Sequence, residues 1–123
     1  MTKRVLDVGN CVPDHASICS LVEGNFDAKV VQAHGSDDAL DAIRNEQVDL
    51  VLVNRKLDRD NTDGLDIIKL IKADGNLNTV PCMLLTNYED HQELAVEAGA
   101  EMGFGKLGFD APETRERLKA ILG

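Results

Sequence analysis

Short apolar runs and amphipathic stretches take turns along the whole chain. Residues 4–9 (RVLDVG) form an apolar run that ends in Gly-Asn, and residues 29–33 (KVVQA) and 48–53 (VDLVLV) follow it. Residues 80–86 (VPCMLLT) and 102–105 complete a set of five strand-like runs. Helical patterns lie between them. Ile18, Leu21 and Val22 share a stripe over residues 13–23, with Pro13 suited to a first turn. Ala39, Leu40 and Ile43 share another over 36–44, with Ser36 as the expected N-cap. Residues 64–73 repeat apolar positions at Leu65, Ile68 and Ile71, and residues 89–98 read as a helix that Gly99 terminates. Residues 110–122 open with Asp110 as N-cap, Pro112 and Glu113, a start like a capping box.

Five strands alternating with five helices predict an α/β protein of (βα)5 type. The strands are almost continuously apolar, so both sheet faces must be covered, which requires helices on the two sides of a parallel sheet. Right-handed crossovers then give a doubly wound, five-stranded, three-layer α/β/α arrangement. In such sheets the functional crevice lies beyond the carboxyl ends of the strands. That places Gly9, Asn10 and Cys11, then Asn54 and Arg55, Thr86 and Asn87, and Lys106 and Leu107 around one crevice.

A length of 123 residues suits one core, and residues 1–123 are expected to form a single domain. With one Tyr, three Phe and no Trp, that core must be built from Val, Leu, Ile and Ala. The net charge of −9 argues against a nucleic-acid surface, which needs clustered Lys and Arg. No stretch reaches a membrane span of about 20 apolar residues, and the first ten residues lack the apolar run of a signal peptide, so a cytoplasmic location is expected. Cys11, Cys19 and Cys82 lack metal-type spacing and read as reduced thiols, Cys11 and Cys82 as inert ones. His15, His34 and His91 are scattered and read as surface residues.

VDLVLVN at 48–54, Gly64-Leu65, VPCMLLT at 80–86, Ala98-Gly99-Ala100 and Phe104-Gly105-Lys106 together resemble the receiver domain of two-component response regulators. The resemblance implies a flavodoxin-like fold and a role in signal transduction within a phosphorelay. It also implies that the strand ending at Asn54 should end in a phospho-accepting aspartate, and that Gly9 and Asn10 should be two acids holding Mg²⁺ with it. An amide cannot replace the carboxylate nucleophile, and Mg²⁺ prefers anionic oxygen ligands, so neither phosphorylation at Asn54 nor Mg²⁺ binding is expected. Thr86, Phe104 and Lys106 match the switch hydroxyl, the switch aromatic and the phosphoryl-neutralising lysine. Asn87 departs from the small residue the family prefers, Leu107 from its proline, and the loop from Asn54 to Gly64 is two residues longer and unusually charged.

The expected protein is therefore a pseudo-receiver, not an enzyme, without cofactor, that contacts a signalling partner independently of phosphorylation. The family's contact surface of fourth helix, fifth strand and fifth helix maps to 89–98, 102–105 and 110–122, and a homodimer is compatible with it. One alternative is a small-ligand or anion sensor using Lys106, Thr86 and Asn54. Another is an atypical receiver phosphorylated on Asp58 or Asp60. Asp58, Asp60, Asn61, Asp63 and Gly64 superficially resemble a calcium loop, but position six from Asp58 is Asp63 and position twelve is Lys69, so a solvated acidic loop is expected. Asp7 interrupts the first strand. Either it pairs with Lys106, or the strand start is exposed and Asp7 lies near solvent; the second is the expectation.

Overall fold

A computed structural model describes residues 2–123. The strands are β1 (Lys3–Val8), β2 (Ala28–Ala33), β3 (Leu50–Asn54), β4 (Cys82–Leu85) and β5 (Glu101–Phe104). They alternate with α1 (Val12–Asn25), α2 (Ser36–Asn45), α3 (Gly64–Ala73), α4 (Glu89–Glu97) and α5 (Pro112–Leu122), and a short 3-10 turn, Lys106–Gly108, precedes α5. All four strand pairings are parallel and the order is β2-β1-β3-β4-β5, the flavodoxin-like arrangement.

Strand parity explains the layers. Leu6, Val8, Val51, Val53, Cys82 and Leu84 face one side, where α2, α3 and α4 contribute Ala39, Ile43, Ile68, Ile71 and Ala95. Val5, Val30, Leu50, Leu52, Met83 and Leu85 face the other, covered by Ile18 and Val22 of α1 and Leu118 and Leu122 of α5. All five residues of β3 are buried, as a central strand between two helical layers requires.

Two helix starts differ from the sequence expectation. Ser36 is the first helical residue of α2 rather than its cap; Gly35 precedes it, and the Asp38 carboxylate accepts from the amides of His34 (2.7 Å) and Gly35 (2.8 Å). At α5 the cap position falls to Ala111, without a side-chain cap bond, because Pro112 opens the helix and Asp110 lies one residue further out.

The β4–β5 ladder is irregular: Met83 pairs with Glu101 and Leu85 with Phe104, so three steps on β5 oppose two on β4. Gly103 lies at this bulge, where a Cβ would fall 2.3 Å from the Leu84 carbonyl oxygen. Gln92 of α4, buried, supplies the missing hydrogen bonds. Its Nε2 donates to Leu84 O (2.8 Å) and Thr86 O (3.2 Å), and its Oε1 accepts from Gly103 N (2.9 Å). Gln92→Leu should therefore destabilise the domain by about 1–3 kcal/mol, because it leaves buried backbone groups unpaired; urea unfolding measures this, and a neutral result would contradict the role.

Candidate functional site

Four strand ends converge on one crevice, and the loop after β3 roofs its β1 side. That loop turns back on itself through Leu57 N to Thr62 O (3.0 Å) and is tied to β1 by Asp58 N to Gly9 O (2.8 Å). Leu57 is thereby buried directly over Gly9, which has a positive φ of 80°. A Cβ on Gly9 would lie 2.5 Å from Leu57 Cγ, so this position has no room for a side chain.

Asn54 ends β3 and uses its amide as a donor. Nδ2 bonds the carbonyl oxygens of Lys56 (2.7 Å) and Gly9 (3.2 Å), joining the end of β3 to its own loop and to the end of β1. A carboxylate cannot make either bond, since it has no hydrogen to donate at neutral pH. Asn10, also buried, turns inward: its Nδ2 donates to Asp7 Oδ1 (2.5 Å), while its Oδ1 has no protein partner.

Asp7 is not near solvent, which overturns the sequence expectation, and it is not paired with Lys106, the alternative. The residue is 0% exposed. It has the same strand parity as Val5, so it points into the layer covered by α1, where His15 meets it with Nδ1 2.6 Å from Oδ2. His15 is thus no surface histidine. It lies on the same helical stripe as Ile18 and Val22, three and seven residues on, and that stripe is the signal the sequence carried for its inward position. Burial raises the Asp7 pKa above its ordinary value, and the hydrogen bonds from His15 and Asn10 oppose that rise. The other ring nitrogen of His15 lies 3.5 Å from Cys19 Sγ. Burial raises the Cys19 thiol pKa as well, and pushes that of Cys82 up to about 11.

Lys106 instead pairs with Asp14, in the first turn of α1, at 2.5 Å. Asp14 also accepts from the thiol of Cys11, 3.1 Å away at the crevice rim. The Lys106 hydrogen bond holds the Asp14 carboxyl below its ordinary value of 3.8. Asp14 escaped the sequence reading because it lies four residues past the expected acidic pair, yet one turn of helix carries it back over the strand ends.

Thr86 is buried, and its Oγ1 accepts from Tyr88 N (3.2 Å) and lies 3.4 Å from His91 Nδ1. His91, read from sequence as a surface residue, lines the crevice and meets the Tyr88 ring edge-on at 5.3 Å. Asn87 Oδ1 accepts from Leu107 N (3.1 Å) across a gap kept open by Gly105, where a Cβ would lie 1.8 Å from that oxygen. Phe104 is buried in the α1/α5 layer and packs edge-on against Phe109 at 5.9 Å. In the acidic loop, Asp60 accepts from Thr62 and Asp63 caps α3 through Leu65 N. Among the described residues no three His, Cys, Asp or Glu side chains come together as a metal site.

The fold agrees with the comparisons to known proteins. The model of the response regulator receiver domain family matches residues 11–119, and the chain belongs to that family. It is 28% identical over 124 residues to the phosphate regulon transcriptional regulatory protein PhoB of Klebsiella pneumoniae, covering 99% of this chain and 52% of that protein. The chain therefore spans about half the length of that curated relative. Among solved structures, a response regulator of Thermotoga maritima superposes with a TM-score of 0.80 at 23% identity, covering 99% of this chain and 98% of that one. The chemotaxis response regulator CheY4 of Vibrio cholerae gives 0.77 at 16% identity, covering 99% and 100%. At such identities these structures speak for the fold alone. Receiver domains as a class are signalling modules that interact with other signalling proteins. Among the described residues no helix is long and apolar enough to cross a membrane.

The Mg²⁺ ion that the family implies does not fit the donors present. Gly9 offers no side chain, Asn10 is neutral and engaged with Asp7, and the Asn54 amide nitrogen faces the carbonyl oxygens that a cation would need.

Two outcomes are expected from these pairs. Asp14 has a lowered pKa in the folded state, so its stabilisation is present above pH 3.8 and disappears as pH falls through the lower folded value. The melting temperature of Asp14→Asn should thus lie below that of wild type at neutral pH, by the equivalent of about 1 kcal/mol or less for a part-exposed pair, and converge with it in acid. His15→Ala leaves Asp7 buried without its main partner and should cost about 3 kcal/mol at neutral pH in urea unfolding. Because the Asp7 pKa is raised, that cost should shrink on acidification, as the carboxyl takes up a proton.

Proposed function

We propose that this receiver domain acts as a pseudo-receiver, transmitting a signal by protein contact without aspartyl phosphorylation. One observation carries the reading: the phospho-acceptor position holds an amide whose nitrogen is bonded to two backbone carbonyls, under a loop whose Leu57 fills the space over Gly9. The nucleophile is absent, and the structure around it is built for a donor rather than an anion. The contact surface is the face of α4, β5 and α5, where Leu94, Val96 and Met102 are exposed apolar residues, with Leu107 89% exposed on the turn beside it. A second copy of the chain or another cytoplasmic signalling protein is the partner.

Incubation with acetyl phosphate in the presence of Mg²⁺ should leave the intact mass unchanged. A phosphoryl mass gain on Asp58 or Asp60 overturns the reading in favour of an atypical receiver. Leu94→Asp combined with Met102→Glu should abolish partner capture, or self-association in ultracentrifugation, while Asn54→Gln leaves it intact.

A further inference from the structure

We infer that the crevice between the loops after β3 and β4 is a binding site for a small organic anion with a planar or apolar body, held without a covalent bond. The inference goes beyond the contact function above and does not depend on which face meets a partner.

The crevice has a volume of about 440 Å³, within the range of small-molecule sites. Its charge is the opposite of the chain's. The sequence carries 22 Asp and Glu against 13 Lys and Arg, yet none of the nine residues lining the crevice is acidic, and Arg55, Lys56 and Lys106 are among them. Lys106 is engaged with Asp14 from the β1 side. Arg55 and Lys56 form no ion pair among the described residues, so two cations are left at the mouth of the crevice on a protein of net charge −9. Cations placed together without counter-charges repel one another, and an anion between them relieves that repulsion. Arg55 brings the planar fork that pairs with two oxygens of a carboxylate or phosphate.

The floor and far wall suit a body larger than a bare ion. Leu85 and the Tyr88 ring are the apolar part of the lining, and Tyr88 is 66% exposed, an unusual amount for an aromatic residue in a chain that has only four. The ring meets His91 edge-on at 5.3 Å, and its exposure leaves ring surface open to a planar group. Cations on one wall and an uncovered aromatic on the other point to an aryl or similarly compact carboxylate or phosphate. The volume fits such a molecule better than a folded partner segment.

Phenyl phosphate, benzoate, inorganic phosphate and phenol test this by NMR titration of the full chain. Phenyl phosphate or benzoate should bind saturably, shifting the Arg55, Tyr88 and His91 amides, and the affinity should fall as salt is raised. Arg55→Gln should weaken binding of both by about tenfold or more, as expected for loss of a charged hydrogen-bonding partner. Tyr88→Ala should weaken phenyl phosphate and leave inorganic phosphate unchanged, and Arg55→Lys, which keeps the charge, should retain part of the affinity. Unchanged melting curves for the variants separate lost binding from lost folding. No saturable binding of any anion, or binding indifferent to Arg55→Gln, overturns the proposal. Inorganic phosphate binding as tightly as phenyl phosphate overturns the assignment of an apolar body.

Discussion

The Asn54 side-chain amide holds the functional end of the sheet in its observed form. By donating to Gly9 O and Lys56 O it ties β3, the end of β1 and the following loop into one unit. The loop then brings Leu57 down onto Gly9, and Asp58 N adds a second hydrogen bond to the Gly9 carbonyl. Each of these contacts depends on the others. A carboxylate at position 54 would face two carbonyl oxygens without a hydrogen to offer, and an acid at position 9 would collide with Leu57. Gly9, Asn54 and the loop after β3 are therefore parts of one connected strand end.

A second set of contacts pairs the charged groups around the strand ends. Lys106 keeps a carboxylate partner, but it comes from Asp14 on α1 rather than from the strand. Asp7, fully inside the α1-facing layer, is held by Asn10 and His15. A buried carboxyl group needs hydrogen-bonding partners, and Asn10 and His15 supply them here. With these acids committed on the β1 and α1 side, the opposite wall of the crevice is left to Arg55, Lys56 and His91.

The elements, the sheet and the position of the crevice were legible in the sequence, because strand parity and helical stripes are local and repeat many times. Five apolar runs and five amphipathic stretches identify a doubly wound sheet even though the capping of α2 and α5 differs in detail. The strand-end places of Gly9, Asn10 and Asn54 were legible for the same reason, whereas the expectation of acids there came from the family resemblance. The partners of charged and polar side chains were not. Asp7 with His15, Lys106 with Asp14, and Gln92 at the β4–β5 bulge join residues 8, 92 and 11 positions apart, and each depends on the rotation of a helix against the sheet. One sequence determines which faces are apolar, since burial is a property of each residue. Which lone charge meets which is decided only when helices dock, because a few ångströms of axial shift move a carboxylate from one cation to another.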